Sequence, residues 1–479
     1  MTVAEPRPRT DVLPLLVGLA QALEARGPAY CQWKGNWKRE RWARGQGDLD
    51  LLVDPAEAVP FRAVLNDVGF KPALPLPERQ IPGIESYFGF DPQQRRLVHL
   101  HVHYRLILGA YWTTRHRIPV ERPLLASVVP GIVFRVPAGE FELLLFVLRL
   151  VLRYRTRDTM TGSPDWLQEV QPELDFLEAR ADRAELHRVV AQHLPCVEVP
   201  FFDRCLRSLR PGVTVWERAV LARALRRRLG AHAERPPLWA WMLAAAREGA
   251  PALARHPCRP AGMRLPTGGT VIALLGADGA GKSTCARELH KWLSRHFAAS
   301  AAHLGRPPRS AATLVVGGAL KLCRRAAPGS GACSALEMLR YVCTARDRHH
   351  LYTGVRRFAS AGGIAVCERY PVAQNRLLVG PGIGRMLGGR PRPGLAERLR
   401  DLEAGYYRRM LPPDVLIVLR IEPELAVRRK PEEPAAYVRD RARIMWDADW
   451  TGTRAHIVDA GRPLAEVLAE IMAIVWGEI

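Results

Sequence analysis

The sequence predicts a multidomain protein whose C-terminal part is an α/β domain with a parallel sheet. From Thr270 onward, apolar runs typical of strands alternate with helix-like segments, as they do in a parallel sheet covered by helices. Residues before about 130 instead mix one helix with short β-like runs, which predicts an α+β domain. Leu and Ala recur at three- and four-residue spacing from about 137 to 256, so the middle of the chain is predicted to be helical.

These changes of pattern also give the domain boundaries. The 479 residues are enough for two or three domains, each with its own core. We expect the α+β domain at 1–130, a helical domain packed on it at 131–256, and the α/β domain at 270–479. Residues 257–269 are rich in proline and glycine without periodicity, and we interpret them as a linker.

Composition narrows the class of partner. The net charge of +22 favours anions such as nucleotides or acidic glycans, but no basic tail or aromatic-and-basic motif supports nucleic-acid binding. The nine cysteines lack metal-ligand spacing, and we interpret them as isolated core residues in a reducing compartment. The most apolar stretch is too short to span a bilayer, so we expect a cytoplasmic protein without a transmembrane segment.

Two aspartates near the start of the chain form a D-x-D pattern. Asp48 and Asp50 lie in a β-like run, where residues two apart point to the same face. Together with the preceding Gly35-Asn36 they resemble the nucleotidyltransferase superfamily, whose signature is G-[GS], a gap and D-x-D. The resemblance implies that both aspartates hold Mg²⁺ for nucleotidyl transfer.

The third carboxylate of that superfamily is missing, and His99 stands in its place. Three interpretations follow: an active nucleotidyltransferase with an altered metal site, a catalytically silent domain of that fold that binds a nucleotide, sugar or partner, or an unrelated fold. The alternating His99, His101 and His103 could also join Asp48 or Asp50 in a transition-metal site, since imidazole suits Zn²⁺.

The segment ALLGADGAGKSTCAREL at 273–289 contains a phosphate-binding loop. It matches G-x-x-x-x-G-K-[ST] between an apolar strand-like run and a helix-like stretch, and such loops bind phosphate through backbone N–H groups and a helix N-terminus. We expect Lys282 to reach the β/γ-phosphates of ATP and Ser283 to bind Mg²⁺. The predicted nucleotide-binding residues are Gly276, Asp278, Gly279, Ala280, Gly281, Lys282, Ser283 and Thr284.

The loop and the motifs after it resemble the thymidylate kinase family. The loop reads G-A-D-G-A-G-K-S-T against the family's G-x-[DE]-G-x-G-K-[ST]-T, which places Asp278 at the position that faces the acceptor's sugar. Residues 345–370 resemble the family's A-D-R-x-x-H helix and the following strand that ends in D-R-[YH], with Glu368-Arg369 at the second motif. Covering 270–479, the resemblance implies a P-loop kinase fold, ATP as phosphoryl donor and Mg²⁺.

The resemblance also implies catalytic roles for Lys282, Glu368 and Arg369. Glu368 ends a strand-like run beside the loop, where a carboxylate can hold Mg²⁺ or orient the attacking oxygen. The arginine-rich stretch 428–446 is expected to act as a lid, in which Arg429 and Arg439 stabilise charge on the transferred phosphoryl group.

Two departures from the family leave the acceptor open. The family has Asp where Glu368 stands, and PVAQNRLLVGPG at 371–382 lacks the residues that hold thymine. We therefore expect an ATP-dependent phosphotransferase acting on a nucleoside monophosphate or another small acceptor, such as a sugar. The alternative is a nucleotide-dependent regulatory or assembly ATPase coupled to the N-terminal module. The sequence does not decide whether the protein is a homodimer.

Overall fold

The computed structural model describes residues 12–110, 114–154, 165–234, 242, 262–372, 380–388 and 394–479. The chain divides into two compact units, Met1–Pro257 and Cys258–Ile479, each with helices and a sheet. The prediction of a multidomain protein with mixed helices and sheets is therefore confirmed. The division of the first unit at residue 130 stays a prediction.

The first unit contains a mixed sheet followed by a series of helices. Its strands are β1 (Tyr30–Gln32), β2 (Asp48–Val53), β3 (Lys71–Ala73), β4 (Ile84–Asp91), β5 (Arg96–His103), β6 (Ile107–Ala110) and β7 (Thr114–Arg117). Its helices are α1 (Pro14–Arg26), α2 (Arg39–Ala43), α3 (Ala58–Asp67), α4 (Glu121–Ala126), α5 (Gly139–Arg153), α6 (Asp165–Glu178), α7 (Arg183–His193), α8 (Val199–Arg207) and α9 (Val215–Arg228).

The five-stranded sheet has the order β1-β2-β5-β4-β3, and only β2 and β5 are parallel neighbours. Their register sets Asp48 opposite His99 and Asp50 opposite His101. Because side chains alternate along a strand, these four residues lie on one face of the sheet. Helices α1 and α3 contribute to a buried cluster with this sheet, which fixes the two strands.

Helix α5 is the centre of the helical part of this unit. Eleven of its residues are buried, and nine of these belong to one hydrophobic cluster with α6 to α9. Cys31, Trp33 and Leu52, from the sheet region, lie in the same cluster. Burial of this continuous apolar surface is the main force that holds the helices in place.

The second unit is a parallel sheet covered by helices. Its strands are β8 (Thr270–Gly276), β9 (Ala299–His303), β10 (Ile364–Glu368), β11 (Val415–Arg420) and β12 (Ala455–Asp459). Its helices are α10 (Lys282–Leu293), α11 (Ala311–Ala326), α12 (Gly331–Ser360), α13 (Ile383–Met386), α14 (Leu395–Arg408), α15 (Pro423–Arg429), α16 (Ala435–Trp446) and α17 (Leu464–Glu478).

The strand order is β12-β11-β8-β10-β9, and every neighbouring pair is parallel. The predicted parallel sheet is confirmed, with one strand more than the apolar runs indicate. The additional strand, Ala299–His303, reads ASAAH and lacks the β-branched residues that favour strands. It forms at the edge of the sheet because Ile364–Glu368 offers it a hydrogen-bonding partner.

Part of the predicted linker belongs to the second unit. Residues 257–261 lie outside the described residues, but Met263 forms a bridge with Phe297, and Leu265 is only 6% exposed. Residues 262–269 thus contact the second unit through Met263 and Leu265, and the linker at 257–269 stays a prediction.

The interpretation of all nine cysteines as isolated core residues is wrong for two of them. Cys323, near the end of α11, forms a disulfide with Cys333, near the start of α12. The ten-residue separation carries no spacing signal, since the turn between the two helices is what brings the sulfurs together.

Among the helices that the structure describes, none combines the length and the apolar character needed to cross a membrane.

Candidate functional site

The phosphate-binding loop joins β8 to α10. Gly279 and Gly281 have φ values of +84° and +80°, a left-handed conformation that glycine adopts without strain. A side chain at Gly279 would also lie 2.9 Å from the carbonyl oxygen of Ala426, whereas one at Gly281 would meet only open space. The loop thus requires glycine and leaves room for an anion at the N-terminus of the helix.

Lys282 begins α10 and is buried against its own loop. Its Nζ donates to the carbonyl oxygen of Ala277 and lies 3.7 Å from Oδ1 of Asp278. Burial, together with the positive charge of Arg369, lowers the pKa of the Lys282 ammonium to about 8. The side chain thus lies at the position from which a loop lysine reaches phosphate oxygens.

Ser283 and Glu368 form an oxygen-rich pair next to the loop. The Ser283 hydroxyl donates to Oε1 of Glu368 over 2.8 Å, because Glu368 ends β10 in register with Leu274 of the neighbouring β8. His303 Nε2 lies 3.7 Å from the same Oε1. A hydroxyl and a carboxylate at this separation are ligands of the kind that Mg²⁺ prefers.

Asp278 connects the loop to two arginines from distant parts of the chain. Its Oδ1 accepts from Nη2 of Arg369 at 2.7 Å, and its Oδ2 accepts from Nε of Arg441, on α16, at 2.8 Å. Burial acts to raise the pKa of Asp278, but Lys282 and the two arginines outweigh it and lower that pKa to about 2. The carboxylate therefore stays ionised and holds both guanidinium groups beside the loop.

Arg369 has an unusual backbone conformation, with φ at +64°. For a non-glycine residue such a conformation costs about 1–3 kcal/mol, and examples cluster at functional sites. Its N–H donates to the carbonyl oxygen of Leu274 over 3.1 Å, which fixes the backbone directly after β10. The turn aims the guanidinium at Asp278.

Three cavities surround these residues. A cleft of about 650 Å³ lies over the phosphate-binding loop, and a smaller one of about 210 Å³ lies on the far side of Asp278. A groove of about 890 Å³ runs along α11, and Gly305 and Arg306 line both it and the smaller cleft. Arg306 lines all three cavities.

The structure brings most of the predicted nucleotide-binding residues together. Residues 278–284, from Asp278 through Ala280 to Thr284, line the large cleft with Arg369 and Arg429. Gly276 ends β8, where a side chain would lie 2.6 Å from the carbonyl oxygen of Leu419. Whether these residues bind ATP stays a prediction.

Arg429 and Arg439 have different surroundings. Arg429 donates to the carbonyl oxygen of Ala460 at 2.8 Å on the rim of the large cleft. Arg439 does not line any of the three cavities; its Nε and Nη2 donate to the Glu424 carboxylate, at 2.7 and 3.0 Å. Arg441, two positions further along α16, contacts Asp278 of the loop, and the lid role of this stretch stays a prediction.

Sequence reasoning missed Arg306 and Arg462 and gave no individual role to Arg348 or Arg441; all four line the clefts. Arg348 lies in the segment that resembles the A-D-R-x-x-H motif, and Arg441 in the arginine-rich stretch, so both had a regional signal. Arg306 and Arg462 follow β9 and β12, and only the parallel sheet indicates that the ends of these strands meet at one edge.

Both predicted aspartates of the first unit contact nitrogen atoms of other side chains. Asp48 Oδ1 lies 2.7 Å from Nδ1 of His99. Asp50 Oδ1 lies 2.9 Å from Lys34 Nζ, 3.0 Å from His103 Nε2 and 3.4 Å from His101 Nδ1. The Asp48 side chain is 56% exposed, whereas that of Asp50 is 10% exposed.

The pKa values of both aspartates and of two of the histidines are lowered, but the causes differ. The hydrogen bond with His99 lowers the pKa of Asp48. Burial raises the pKa of Asp50, but Lys34 and two histidines outweigh it, so that pKa is well below its ordinary value. Burial lowers the pKa of His99, and that of His103 to about 4, which leaves both imidazoles neutral at physiological pH.

Asn36, in the predicted G-[GS]-like position, forms hydrogen bonds that hold the fold of the first unit together. It is buried and donates through Nδ2 to the carbonyl oxygen of Gln32 at 3.0 Å and to Oε1 of Glu142, on α5, at 2.9 Å. Burial raises the pKa of Glu142 to about 7. The contact joins the segment before the aspartates to the helical part of the unit.

No protein-family model matches the chain. It is 30% identical over 219 residues to a protein of Escherichia coli (strain K12) named "Uncharacterized ATP-binding protein YghR", a match that covers 42% of this chain and 84% of that protein. The YghR protein of Escherichia coli O6:H1 matches with the same identity and coverage. The chain therefore belongs to the same family as these YghR proteins.

Proposed function

We propose that the second unit binds MgATP and transfers the γ-phosphoryl group to a small anionic acceptor. The observation that carries this proposal is the arrangement around the phosphate-binding loop. On one side the Ser283 hydroxyl and the Glu368 carboxylate lie 2.8 Å apart, and on the other Arg369 and Arg441 converge on Asp278. Metal ligands and cations on either side of a phosphate site are what phosphoryl transfer requires.

Two observations support ATP as the phosphoryl donor: the cleft over the loop and the similarity to an ATP-binding protein. The cleft over the loop, about 650 Å³, has the size of a ligand site for a nucleotide. The YghR relative is named as an ATP-binding protein. Lys282 and the backbone N–H groups of the loop would bind the β- and γ-phosphates.

The residues beside the loop fit Mg²⁺. The Ser283 hydroxyl and the Glu368 carboxylate offer oxygen ligands, directly or through water. When bound, Mg²⁺ neutralises charge on the β- and γ-phosphates. Glu368 also lies 3.7 Å from Arg369, so it holds the arginine's guanidinium beside the site of transfer.

The acceptor is inferred from the smaller cleft. Arg306, Arg348, Arg369 and Arg441 line its 210 Å³. An acceptor with a phosphate or carboxylate would be bound there, and one of its oxygens would attack the γ-phosphorus while the bond to the β-phosphate oxygen breaks and ADP leaves. The arginines would stabilise the charge that is spread over the transferred group.

The adjoining groove extends the acceptor class beyond nucleotides. It is lined by Arg309, Lys321 and Arg325, and Leu314 and Gly318 supply apolar surface. The arginines of the smaller cleft would bind the phosphate of a nucleoside monophosphate or a phosphorylated sugar, and the groove offers 890 Å³ to whatever is attached to that phosphate. We therefore propose two classes of acceptor, nucleoside monophosphates and phosphorylated sugars.

The test is ADP release from MgATP by the full chain, with and without each member of a panel of acceptors. The panel contains dTMP, other nucleoside monophosphates, sugars, sugar phosphates and isoprenyl monophosphates. We expect at least one anionic acceptor to accelerate ADP release about tenfold or more, which is the signature of transition-state stabilisation that needs the acceptor.

Lys282→Ala is the control for this experiment, because it removes the loop ammonium. Stimulation that persists in this variant would come from a contaminating kinase. If ATP binds and no acceptor stimulates, the phosphotransferase proposal fails, and the nucleotide-dependent regulatory ATPase takes its place.

A further inference from the structure

The first unit offers a group of possible metal ligands that the phosphotransferase does not use. The resemblance to nucleotidyltransferases implies two Mg²⁺ ions held by carboxylates, and the residues present do not fit them. Asp50 Oδ1 is occupied by Lys34 and two histidines, and imidazole replaces the third carboxylate. Mg²⁺ prefers oxygen ligands, and of these two carboxylates Asp48 is the exposed one.

The same face carries a different donor set. One ligand atom each from Asp48, His99 and His101 lies within 4.8 Å of the other two. In a tetrahedral zinc site, with metal–ligand distances of about 2.0–2.2 Å, neighbouring ligand atoms are about 3.3 Å apart. The side chain of Asp48 is 56% exposed, which leaves space for the small movement that would convert the cluster into a coordination site.

Strand pairing explains why these three residues meet. In the parallel register of β2 and β5, Asp48 lies opposite His99, and His101 follows two residues later on the same face. Two strands supply the ligands, so the site does not depend on the geometry of one strand alone. The ring of His99 stacks on Phe88 at 4.4 Å with an angle of 4° between the planes, which fixes its orientation.

Supporting contacts have the arrangement found around metal-bound histidines. Asp50 Oδ1 lies 3.4 Å from Nδ1 of His101, and a carboxylate on one ring nitrogen orients the other toward a metal. His99 Nδ1 lies 2.7 Å from Asp48 Oδ1, so the two atoms that would share the ion already face each other.

We propose that Asp48, His99 and His101 bind one divalent transition-metal ion, with Zn²⁺ as the best fit, and that Asp50 positions His101 without ligating. Two imidazoles and one carboxylate are the donors that zinc accepts and magnesium does not favour. Three protein ligands leave a fourth position for water or a substrate group.

The test uses the full chain, free of tags, stripped with a chelator and dialysed against buffer containing Zn²⁺ and excess Mg²⁺. We expect metal analysis to find one equivalent of zinc per chain. Asp48→Asn and the double variant His99→Ala, His101→Ala should each lose it, and Asp50→Asn should weaken zinc binding about 10–100-fold.

His187→Ala is the matched control, because His187 forms a pair with Asp203 at 3.1 Å and lies in no cluster of three possible ligands among the described residues. It should retain the full equivalent of zinc. Asp48→Asn changes an exposed side chain, so its circular dichroism should match the wild type and loss of zinc cannot be attributed to unfolding. The inference is overturned if the folded wild type binds no zinc, or if the double variant binds as much as the wild type.

Discussion

Each unit of the protein holds a buried carboxylate at a parallel strand pair, and the neighbours of that carboxylate give it a different use. Glu368 of the second unit bonds to a serine hydroxyl, so two oxygens lie beside the phosphate-binding loop. Asp50 of the first unit is surrounded by the nitrogens of Lys34, His101 and His103. The first arrangement suits Mg²⁺ and phosphate, whereas the second directs histidines toward a softer metal. The chemistry of a D-x-D or E-R pattern therefore depends on the side chains that neighbouring segments bring next to its carboxylates.

The largest effect is expected from Lys282→Ala. This change removes the ammonium next to the loop while leaving the glycines and Ser283 in place, and we expect acceptor-dependent turnover to fall about 10³-fold. Steady-state ADP release measures it. Retention of more than a tenth of the activity would mean that the loop does not position the transferred phosphate.

The next effect separates two arginines on α16. Arg441 contacts Asp278 beside the loop, whereas Arg439 is paired with Glu424 on the surface. We expect Arg441→Ala to lower kcat/KM about 10²-fold and Arg439→Ala to change it less than about twofold, since exposed ion pairs contribute little. The reverse order would support the sequence-based expectation that Arg439 stabilises charge on the transferred phosphoryl group.

The affinity for MgATP should depend on pH because the pKa of Lys282 is lowered to about 8. Bound phosphates favour the charged ammonium and raise that pKa, so binding takes up a proton above pH 8 and needs none below it. Affinity should therefore be constant below pH 7 and fall up to about tenfold per pH unit above 8. Calorimetric titration from pH 6.5 to 9.5 checks this.

Lys282→Arg is the control for the pH series, since a guanidinium stays charged throughout this range. It should bind MgATP more weakly but with a flat pH profile. An unchanged slope in this variant would assign the titration to another group.

The smallest effect concerns Glu142, whose pKa burial raises to about 7, in contrast to Asp278, whose pKa is lowered to about 2. A carboxyl whose folded pKa is raised binds more protons in the folded state, so it costs stability as pH rises toward 7. Glu142→Gln keeps an acceptor for Asn36 and avoids that cost. We expect it to raise the free energy of unfolding by about 1–3 kcal/mol at pH 8 and little at pH 5, as measured by urea denaturation.

Much of the second unit's fold could be predicted because its central strands are continuous apolar runs. Ile364–Glu368 and Val415–Arg420 are such runs, and their burial makes the pattern clear. Ala299–His303 and the helix Ala311–Ala326 were missed. The strand is short, at the sheet edge and rich in alanine, and its existence depends on the ladder with its neighbour.

The candidate sites show the same limit. Residues within one motif, such as Lys282 and Ser283, could be predicted as site residues because a loop and its helix are local structures. Arg306 and Arg441 could not, since tertiary packing alone brings them to Asp278 and the clefts. In the first unit the aspartates and histidines were recognised, but their pairing required the β2–β5 register.

The most direct test of the central proposal follows the γ-phosphoryl group itself. The full chain is incubated with Mg²⁺, ATP labelled in the γ-phosphate and the acceptor that stimulates ADP release most, and the products are separated. We predict that the label appears in the acceptor in a one-to-one ratio with ADP and is absent with Lys282→Ala. Label found only in inorganic phosphate would contradict phosphoryl transfer and identify the second unit as an ATPase.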